Sequence, residues 1–275
     1  MSAILIQLVG KSINGLSYLS KTWAAKKALA LFSKPRKGQI TDLQARFLET
    51  SVKQTLQFKS HQIMTYHWQG TGETILLAHG WESNSGRWKS LIKHLQKKHH
   101  TIIALDAPAH GNSGSDRFNA ILYSEFIHTV AQHYQPKIIV GHSVGGMASV
   151  FFQNKYQIKS IEKLILLGSP SDFKDILKRY TDMLGYNQRV SNQLNTIIKK
   201  RFGASPDSFS TAKYIENIHS KGLIIHDEDD LIIPFNDALK INSNFKNSKL
   251  IITKGFGHSL NHKKVTQHIS DFIEN

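Results

Sequence analysis

The 275-residue chain has no cysteine, few acidic residues and no long apolar run. The absence of cysteine excludes disulfide bonds, thiolate metal ligands and a cysteine nucleophile, but it fits either redox compartment. No apolar stretch is long enough to cross a bilayer, and the N-terminus lacks the basic start, apolar centre and small-residue cleavage site of a secretory signal. We therefore expect a cytoplasmic protein whose length suits one large domain with a small insertion.

Acidic residues are scarce beside basic ones: 20 Asp and Glu stand against 35 Lys and Arg, which gives a formal net charge of +15. Such a charge suits anionic substrates, nucleic acid or anionic lipid. The lysines, however, are scattered through every segment, no lysine cluster is interleaved with aromatic residues, and no nucleic-acid-binding motif is present. We therefore expect no nucleic-acid partner, and the sequence leaves monomer and homodimer open.

The N-terminal segment has helical periodicity. Apolar residues recur there at about helical spacing, with lysines at other positions: Ile4, Leu8, Leu16, Leu19 and Trp23. This pattern predicts an amphipathic helix, or a broken pair of helices, over residues 3–32. A basic amphipathic helix either packs on its own domain, which is the commoner case, or lies on a membrane surface. Peripheral membrane contact through this segment therefore stays open.

Strand-like and helix-like segments alternate in the rest of the chain. The strand-like runs, the first two of which read as a hairpin, are residues 53–58, 63–68, 74–78, 101–105, 137–140, 164–167, 222–225 and 250–253. The helix-like stretches between and after them are residues 87–98, 120–134, 147–156 and 263–273. Continuous β-branched and leucine runs suit parallel strands that are covered on both faces. The sequence therefore predicts an α/β fold with a doubly wound, mostly parallel sheet.

The region 170–219 has no strand signal, and helical stretches at 172–184 and 190–202 predict a helical cap, inserted after the sixth strand and above the strand ends. The expected parts are an N-terminal helical extension (1–37), a core (38–169 and 220–275) and the cap (170–219). Apolar side chains of the cap, most of which would attach it to the sheet, are candidates for lining a substrate pocket with two core residues. These pocket candidates are Trp81, His142, Phe173, Tyr180, Leu184 and Tyr186.

The candidate nucleophile is Ser143, in the segment Gly141-His142-Ser143-Val144-Gly145 between a predicted strand and a predicted helix. A serine at such a corner has its hydroxyl lifted clear of the sheet, and the flanking glycines let neighbouring backbone pass without Cβ clashes. The pattern by itself is weak, and its specificity comes from the residues that accompany it.

A protonated serine hydroxyl needs a base, and the base needs a group that orients it. His258 is the candidate base because its glycine-flanked loop directly follows the last strand, and active loops lie beyond the carboxyl ends of parallel strands. The acid is expected after an intervening strand, where four carboxylates follow His226. Asp230 is preferred because the apolar residues after it re-enter the core, while Asp227 and Asp229 stay open.

The oxyanion that forms on attack needs backbone donors. The residue after the nucleophile, Val144, supplies one N–H, and the loop after the first parallel strand supplies the other, from Trp81. Gly80 permits the backbone twist of that loop. We expect the side chain of His79 to make structural hydrogen bonds, because one base suffices for a triad.

With these residues in place, the chain resembles the α/β-hydrolase fold superfamily from about residue 53 to the C-terminus. Ser143, Asp230 and His258 occur in the order that this superfamily uses. Three segments are similar to its oxyanion loop, its Asp-x-Pro-x-His-Gly-x-Ser loop and its His-Gly-x-x-Asp-x-x-Val-Pro acid loop: residues 79–81, 106–113 and 226–234. Asp227 replaces the usual glycine of the acid loop, and Ala109 replaces a common glycine. The whole resembles a bacterial branch of capped esterase, lipase and thioesterase-like hydrolases with an extra N-terminal helix.

The resemblance implies ester or thioester hydrolysis through an acyl-serine intermediate, without a metal or an organic cofactor. A serine at the elbow argues against the haloalkane dehalogenase and soluble epoxide hydrolase branches, which attack with a carboxylate. We expect a carboxylic-ester hydrolase for a small or medium hydrophobic acyl substrate. Thioesterase, acyltransferase or carbon–carbon hydrolase activity stays open, as does a non-catalytic module that binds a small hydrophobic ligand.

Overall fold

The computed structural model describes residues 3–275, and within that range eight strands form one sheet. The strands are β1 Val52–Phe58, β2 His61–Trp68, β3 Thr74–Ala78, β4 Thr101–Leu105, β5 Ile138–His142, β6 Lys163–Leu167, β7 Lys221–Asp227 and β8 Ser248–Thr253. Their spatial order is β1-β2-β4-β3-β5-β6-β7-β8. The β1–β2 and β2–β4 pairs are antiparallel and all others are parallel. The predicted hairpin and mostly parallel sheet are confirmed.

The α-helices of the described residues flank these strands in the alternation that the sequence indicates. They are α1 Ala3–Leu19, α2 Lys21–Ser33, α3 Asp42–Leu48, α4 Lys89–Gln96, α5 Ala120–Tyr134, α6 Val144–Tyr156, α7 Phe173–Met183, α8 Gln188–Phe202, α9 Thr211–Tyr214, α10 Phe235–Asn244 and α11 Lys263–Glu274. The prediction did not include α3, α9 and α10. It also began α6 three residues late, because this helix starts directly after Ser143.

The chain divides into two compact units, of which the larger comprises residues 35–171 and 211–275. Its sheet has an apolar core on each face, as expected for parallel strands covered on both sides. Alternate residues of β3 show this, since Leu76 belongs to the core that α5 and α6 cover, whereas Leu77 belongs to the core that α4 and α11 cover. Residues 211–219 lie in this unit, where Ala212 and Ile215 are buried in the first core.

The smaller unit combines the N-terminal residues up to Lys34 with residues 172–210. Its core joins the alanine face of α2 to apolar side chains of α8, among them Ala24, Ala28, Val190 and Leu194. The N-terminal helical segment is broken at Ser20, whose hydroxyl caps α2 by accepting from the Trp23 N–H. Within residues 3–275, no helix is both long and apolar enough to cross a membrane.

Candidate active site

The corner between β5 and α6 holds Ser143 in a backbone conformation that few side chains adopt, with φ 53° and ψ −127°. Such strain persists only where the surroundings fix it, and it clusters at functional sites. Two glycines make the tight corner feasible. A Cβ at Gly141 would lie 2.5 Å from Gly146 Cα, and one at Gly145 would lie 2.3 Å from the carbonyl oxygen of Ala78. The helix can therefore start immediately after the serine, which is the elbow geometry expected from the sequence.

His258 lies in the loop after β8 and connects the serine to a carboxylate. Its Nε2 is 3.1 Å from Ser143 Oγ, and its Nδ1 is 2.7 Å from Asp230 Oδ2. Because an ionised carboxylate only accepts hydrogen bonds, Nδ1 carries the proton and Nε2 is left to accept from the serine hydroxyl. The structure thus brings Ser143, His258 and Asp230 into one hydrogen-bonded series.

Asp230 is almost fully buried, yet it is held as an anion. Burial by itself would raise the pKa of the Asp230 carboxyl, but hydrogen bonds from His226, His258 and the Ile233 N–H bring that pKa well below its usual range. The backbone N–H groups of Ile232 and Ile233 donate to Oδ1 at 2.8 and 2.9 Å. Ile232 and Ile233 therefore fix the carboxylate through their backbone. The expected return of residues 231–234 to the core is wrong except at Ile233, because Leu231 and Ile232 are exposed.

The other carboxylates of this loop do not contact the imidazole of His258. Glu228 and Asp229 are exposed. Asp227 is buried and accepts from the Thr253 hydroxyl at 2.8 Å and from the Phe256 N–H at 2.9 Å. Of the alternatives that the sequence left open, only Asp230 lies against the base.

The expected oxyanion loop runs beside the serine. A Cβ at Gly80 would be 2.8 Å from His142 Nδ1 and 3.0 Å from Ser143 Cβ, so only glycine fits this approach. Outside the regular helices and strands of residues 3–275, no backbone hydrogen bond is donated by the N–H group of Trp81 or Val144. An oxyanion hole requires unengaged N–H donors beside the nucleophile, and the role of these two groups as its donors stays a prediction.

The segment 106–113 is hydrogen-bonded to the expected oxyanion loop and to the residues just after it. Asp106 is buried and accepts from the Ser85 N–H at 2.8 Å. His79 Nε2 accepts from the Ala107 N–H at 2.9 Å, and His110 Nε2 accepts from the Glu82 N–H at 3.0 Å. Burial holds the pKa of both histidines below the ordinary value, so they stay neutral and able to accept. His79 therefore makes the structural hydrogen bonds expected of it.

Comparisons with known proteins agree with this fold. The sequence matches the family model of the alpha/beta hydrolase fold over residues 73–204. YugF, an uncharacterized hydrolase of Bacillus subtilis, is 23% identical over 76% of this chain and 93% of its own length. A bifunctional esterase/perhydrolase of Acinetobacter calcoaceticus is 25% identical over 68% of this chain and 85% of its own. An esterase structure from Exiguobacterium antarcticum has a TM-score of 0.63 at 17% identity, covering 82% of this chain and all of that one.

The chain has the α/β-hydrolase fold. In this hydrolase, three side chains hold the loop that carries His258. The sequence alone did not indicate this role for them. Asp227 binds the Phe256 N–H, His142 Nε2 lies 2.8 Å from the carbonyl oxygen of His258, and Arg87 Nη2 donates to the carbonyl oxygen of Ser259 at 2.9 Å. The base loop is therefore fixed from β7, from the elbow and from the segment after the oxyanion loop. In the sequence, the only indication of these contacts was that Asp227 replaces the usual glycine of the acid loop.

The two pocket candidates of the larger unit lie close to the elbow. His142 is buried, its ring centroid is 4.9 Å from that of His258, and burial holds its pKa well below the ordinary value. The Trp81 ring is half-buried and packs edge-on against Phe118 at 5.3 Å. Within residues 3–275 no cluster of three or more His, Asp or Glu side chains could hold a metal ion.

The four remaining pocket candidates lie in the smaller unit. The rings of Phe173 and Tyr180 pack against Phe32 of α2, with centroids 6.1 and 4.7 Å apart. Tyr186 packs edge-on against Tyr180 at 5.8 Å, and Leu184 is buried. These side chains thus pack within the unit itself, and their contact with a substrate stays a prediction.

Proposed function

We propose that this hydrolase is a serine esterase that cleaves carboxylic esters of small or medium hydrophobic acids. The observation that carries the proposal is the hydrogen-bonded series from Ser143 Oγ through His258 to Asp230, with separations of 3.1 and 2.7 Å. A hydroxyl, an imidazole and a carboxylate in this order are the parts that activate a serine nucleophile. The esterase name of one relative, at 25% identity, supports the same reaction class.

The first half of the reaction forms an acyl-serine. Ser143 Oγ attacks the ester carbonyl carbon while its proton passes to His258 Nε2, and the Asp230 carboxylate stabilises the resulting imidazolium. The carbonyl oxygen becomes an oxyanion, which accepts from the N–H groups of Trp81 and Val144. His258 then gives its proton to the leaving alcohol oxygen as the carbon–oxygen bond breaks.

The second half returns the enzyme to its starting state. A water molecule attacks the acyl carbon, and His258 takes one of its protons. The same two backbone N–H groups stabilise the second oxyanion. When that intermediate collapses, the proton returns to Ser143 Oγ and the carboxylic acid leaves. Every proton is accounted for by His258, and no cofactor takes part.

The proposed substrate carries a hydrophobic acyl group. Trp81 is half-buried and the ring of His142 lies against that of His258, and we propose that both line the acyl site. We propose that Phe173, Tyr180, Leu184 and Tyr186 add to the acyl specificity. Ligand pockets are mostly apolar with few placed polar groups, which suits this set.

A fluorophosphonate probe tests the proposal, because it phosphonylates only an activated serine. We expect wild-type protein to be labelled, Ser143→Ala to be unlabelled, and Ser243→Ala, which removes an exposed hydroxyl of α10, to be labelled like wild type. Absence of labelling in folded wild-type protein would contradict the proposal and would favour a module that only binds ligand.

Substrate preference is measured next, with p-nitrophenyl esters of increasing acyl length and with acyl-coenzyme A compounds. We expect turnover of the esters, with a preference for short or medium chains. Faster turnover of the thioesters would reassign the enzyme as a thioesterase, and product transferred to an added alcohol would reassign it as an acyltransferase. Both outcomes keep the acyl-serine and change only the substrate class.

A further inference from the structure

One face of α1 is apolar and exposed, although the opposite face of the helix is packed. The exposed side chains share neighbouring positions of a 3.6-residue repeat: Ile4, Leu5, Leu8, Tyr18 and Leu19. Tyr18 and Leu19 are 72% and 87% exposed, whereas Ile13 on the other face is 8% exposed. The helix thus has one face in the core of the smaller unit and a second apolar face that is largely exposed.

The next helix, α2, has a comparable arrangement. Ala24, Ala25 and Ala28 are fully buried, whereas Trp23 and Leu31 are about half exposed at 49% and 50%. Trp23 and Leu31 are eight residues apart and therefore lie on one face, with Lys27 between them. The Lys27 ammonium lies 5.2 Å from the centre of the Trp23 ring. Exposed aromatic and aliphatic side chains on this helix are thus mixed with cationic ones.

The charge of this segment has a single sign. Residues 1–41 contain no Asp or Glu, and the five lysines of α1, α2 and the residue after α2 are all exposed: Lys11, Lys21, Lys26, Lys27 and Lys34. A second copy of the chain would bring the same positive charge onto this surface, and the two would repel. An anionic lipid surface complements both the charge and the apolar side chains.

We infer that α1 and α2 form a docking surface for a membrane leaflet that contains anionic phospholipid. We call this surface the N-terminal face, defined by Ile4, Leu5, Leu8, Tyr18, Leu19, Trp23 and Leu31 with the five lysines. The apolar side chains enter the boundary between headgroups and acyl chains, where tyrosine and tryptophan are favoured, and the lysines contact lipid phosphates. Helices α1 and α2 then lie along the surface of the leaflet. This inference goes beyond the proposed esterase reaction and does not depend on it.

The test is co-sedimentation of the full chain with vesicles of equal parts phosphatidylcholine and phosphatidylglycerol, with pure phosphatidylcholine vesicles as the comparison. We expect binding to the anionic vesicles that weakens with added salt. The double variant Leu8→Asp/Leu19→Asp should lower the vesicle affinity by about a hundredfold, because two leucines no longer leave water. Its matched control is Leu43→Asp/Leu239→Asp, which changes exposed leucines of the larger unit and should bind like wild type.

The charge contribution is measured separately with Lys26→Gln/Lys27→Gln. Each lysine near an anionic surface is worth about a fivefold change in affinity, so this pair should cost about 25-fold at low salt. Lys246→Gln/Lys249→Gln, exposed lysines far along the chain, should change the affinity much less. Equal losses in both pairs would mean that binding follows net charge alone, and would overturn the assignment of the N-terminal face.

Two further readouts keep the inference testable if a variant folds poorly. Trp23 emission, obtained as the difference between wild type and Trp23→Phe, should shift to shorter wavelength on addition of anionic vesicles. An unshifted emission, no sedimentation of wild type, or a concentration-dependent dimer that Leu8→Asp/Leu19→Asp dissolves would each overturn the inference. Hydrolysis of a water-soluble ester without vesicles is followed in parallel, because its failure would contradict the esterase proposal and leave the docking result unaffected.

Discussion

Four consecutive carboxylates follow His226 at the end of β7, and their neighbours give them different roles. Asp230 receives the Nδ1–H of His258, so we expect Asp230→Asn to lower kcat by about 10⁴, the loss seen when a triad carboxylate becomes an amide. The neutral amide cannot stabilise the imidazolium, and it favours the wrong tautomer of the base. Steady-state hydrolysis of a p-nitrophenyl ester measures the loss. Asp229→Asn, an exposed neighbour, should stay close to wild type and is the matched control.

Asp227 has the second role, because its carboxylate holds the base loop through Thr253 and the Phe256 N–H. We expect Asp227→Asn to lower kcat by about tenfold to a hundredfold through misplacement of His258. Glu228→Gln, which alters an exposed carboxylate, is the control. A larger loss for Asp227→Asn than for Asp230→Asn would reverse the assignment of the two carboxylates.

The same residue gives a prediction about pH. Burial would raise the pKa of Asp227, but hydrogen bonds from the Phe256 N–H and the Thr253 hydroxyl lower it below its usual value. The ionised carboxylate therefore stabilises the fold above the unfolded-state pKa of about 3.9, and this contribution disappears as the pH falls through the folded-state value. The difference in unfolding free energy between wild type and Asp227→Asn should shrink as the pH is lowered below about 4. A difference that grows toward acid pH would contradict this account.

The sequence indicates Ser143 and His258 because each lies in a glycine-flanked turn directly after a predicted strand, and such a turn can be recognised from the order of residues alone. It favours Asp230 but does not exclude Asp227, because the groups that fix Asp227 come from a distant part of the chain. Asp227 is bound by Thr253, the last residue of β8, and by the Phe256 N–H beyond it, 26 and 29 positions away in the sequence. Arg87 reaches the base loop across a separation of 172 residues, and no local pattern reports such a contact.

At the scale of elements, strands are easier to predict here than short helices. The predicted parallel strands are mainly continuous apolar runs, and the observed bounds of all eight strands differ from prediction by two residues at most. Helix α3 has only seven residues and lacks a long periodic stretch, although its capping box between Thr41 and Gln44 was a usable signal. Helix α10 starts immediately after Pro234, a few residues after the acid loop. The run of carboxylates there obscures the helical periodicity, so the sequence did not predict this helix.

The junction between β5 and α6 gives a prediction at this scale. Gly145→Ala would place a Cβ 2.3 Å from the Ala78 carbonyl oxygen, so we expect a loss of about 1–3 kcal/mol in unfolding free energy and a displaced elbow. Gly15→Ala is the matched control, because that glycine lies within α1 with nothing within 4 Å of the added Cβ. It should stabilise the helix by up to about 1 kcal/mol. Urea unfolding measures both, and equal stability of the two variants would contradict the steric argument.

On the scale of the whole molecule, the alternation of strands and helices is sufficient to predict the sheet, but not the partners of the N-terminal helices. Helices α1 and α2 pack with α8, about 170 residues later in the chain, to form the smaller unit. The contact uses the small residues Ala24, Ala25 and Ala28, which carry little hydrophobic signal in the sequence. The residues that gave the predicted amphipathic pattern therefore lie mostly on the exposed face, as Ile4, Leu8, Leu19 and Trp23 show, and only Leu16 packs against the buried core.

Deletion of residues 1–34 tests the buried face. The deletion removes the side chains that cover Val190 and Leu194 of α8, both 0% exposed in the intact protein. Newly exposed apolar surface of this kind promotes association, so we expect the truncated protein to aggregate and to unfold at lower urea concentration. Size-exclusion chromatography with light scattering measures the association.

Replacing the uncovered residues in the truncated chain, as Val190→Lys/Leu194→Glu, should restore a monodisperse protein. A truncated chain that is monodisperse and as stable as wild type without these replacements would show that α1 and α2 contribute little to the fold, and that their exposed face is the reason for their presence.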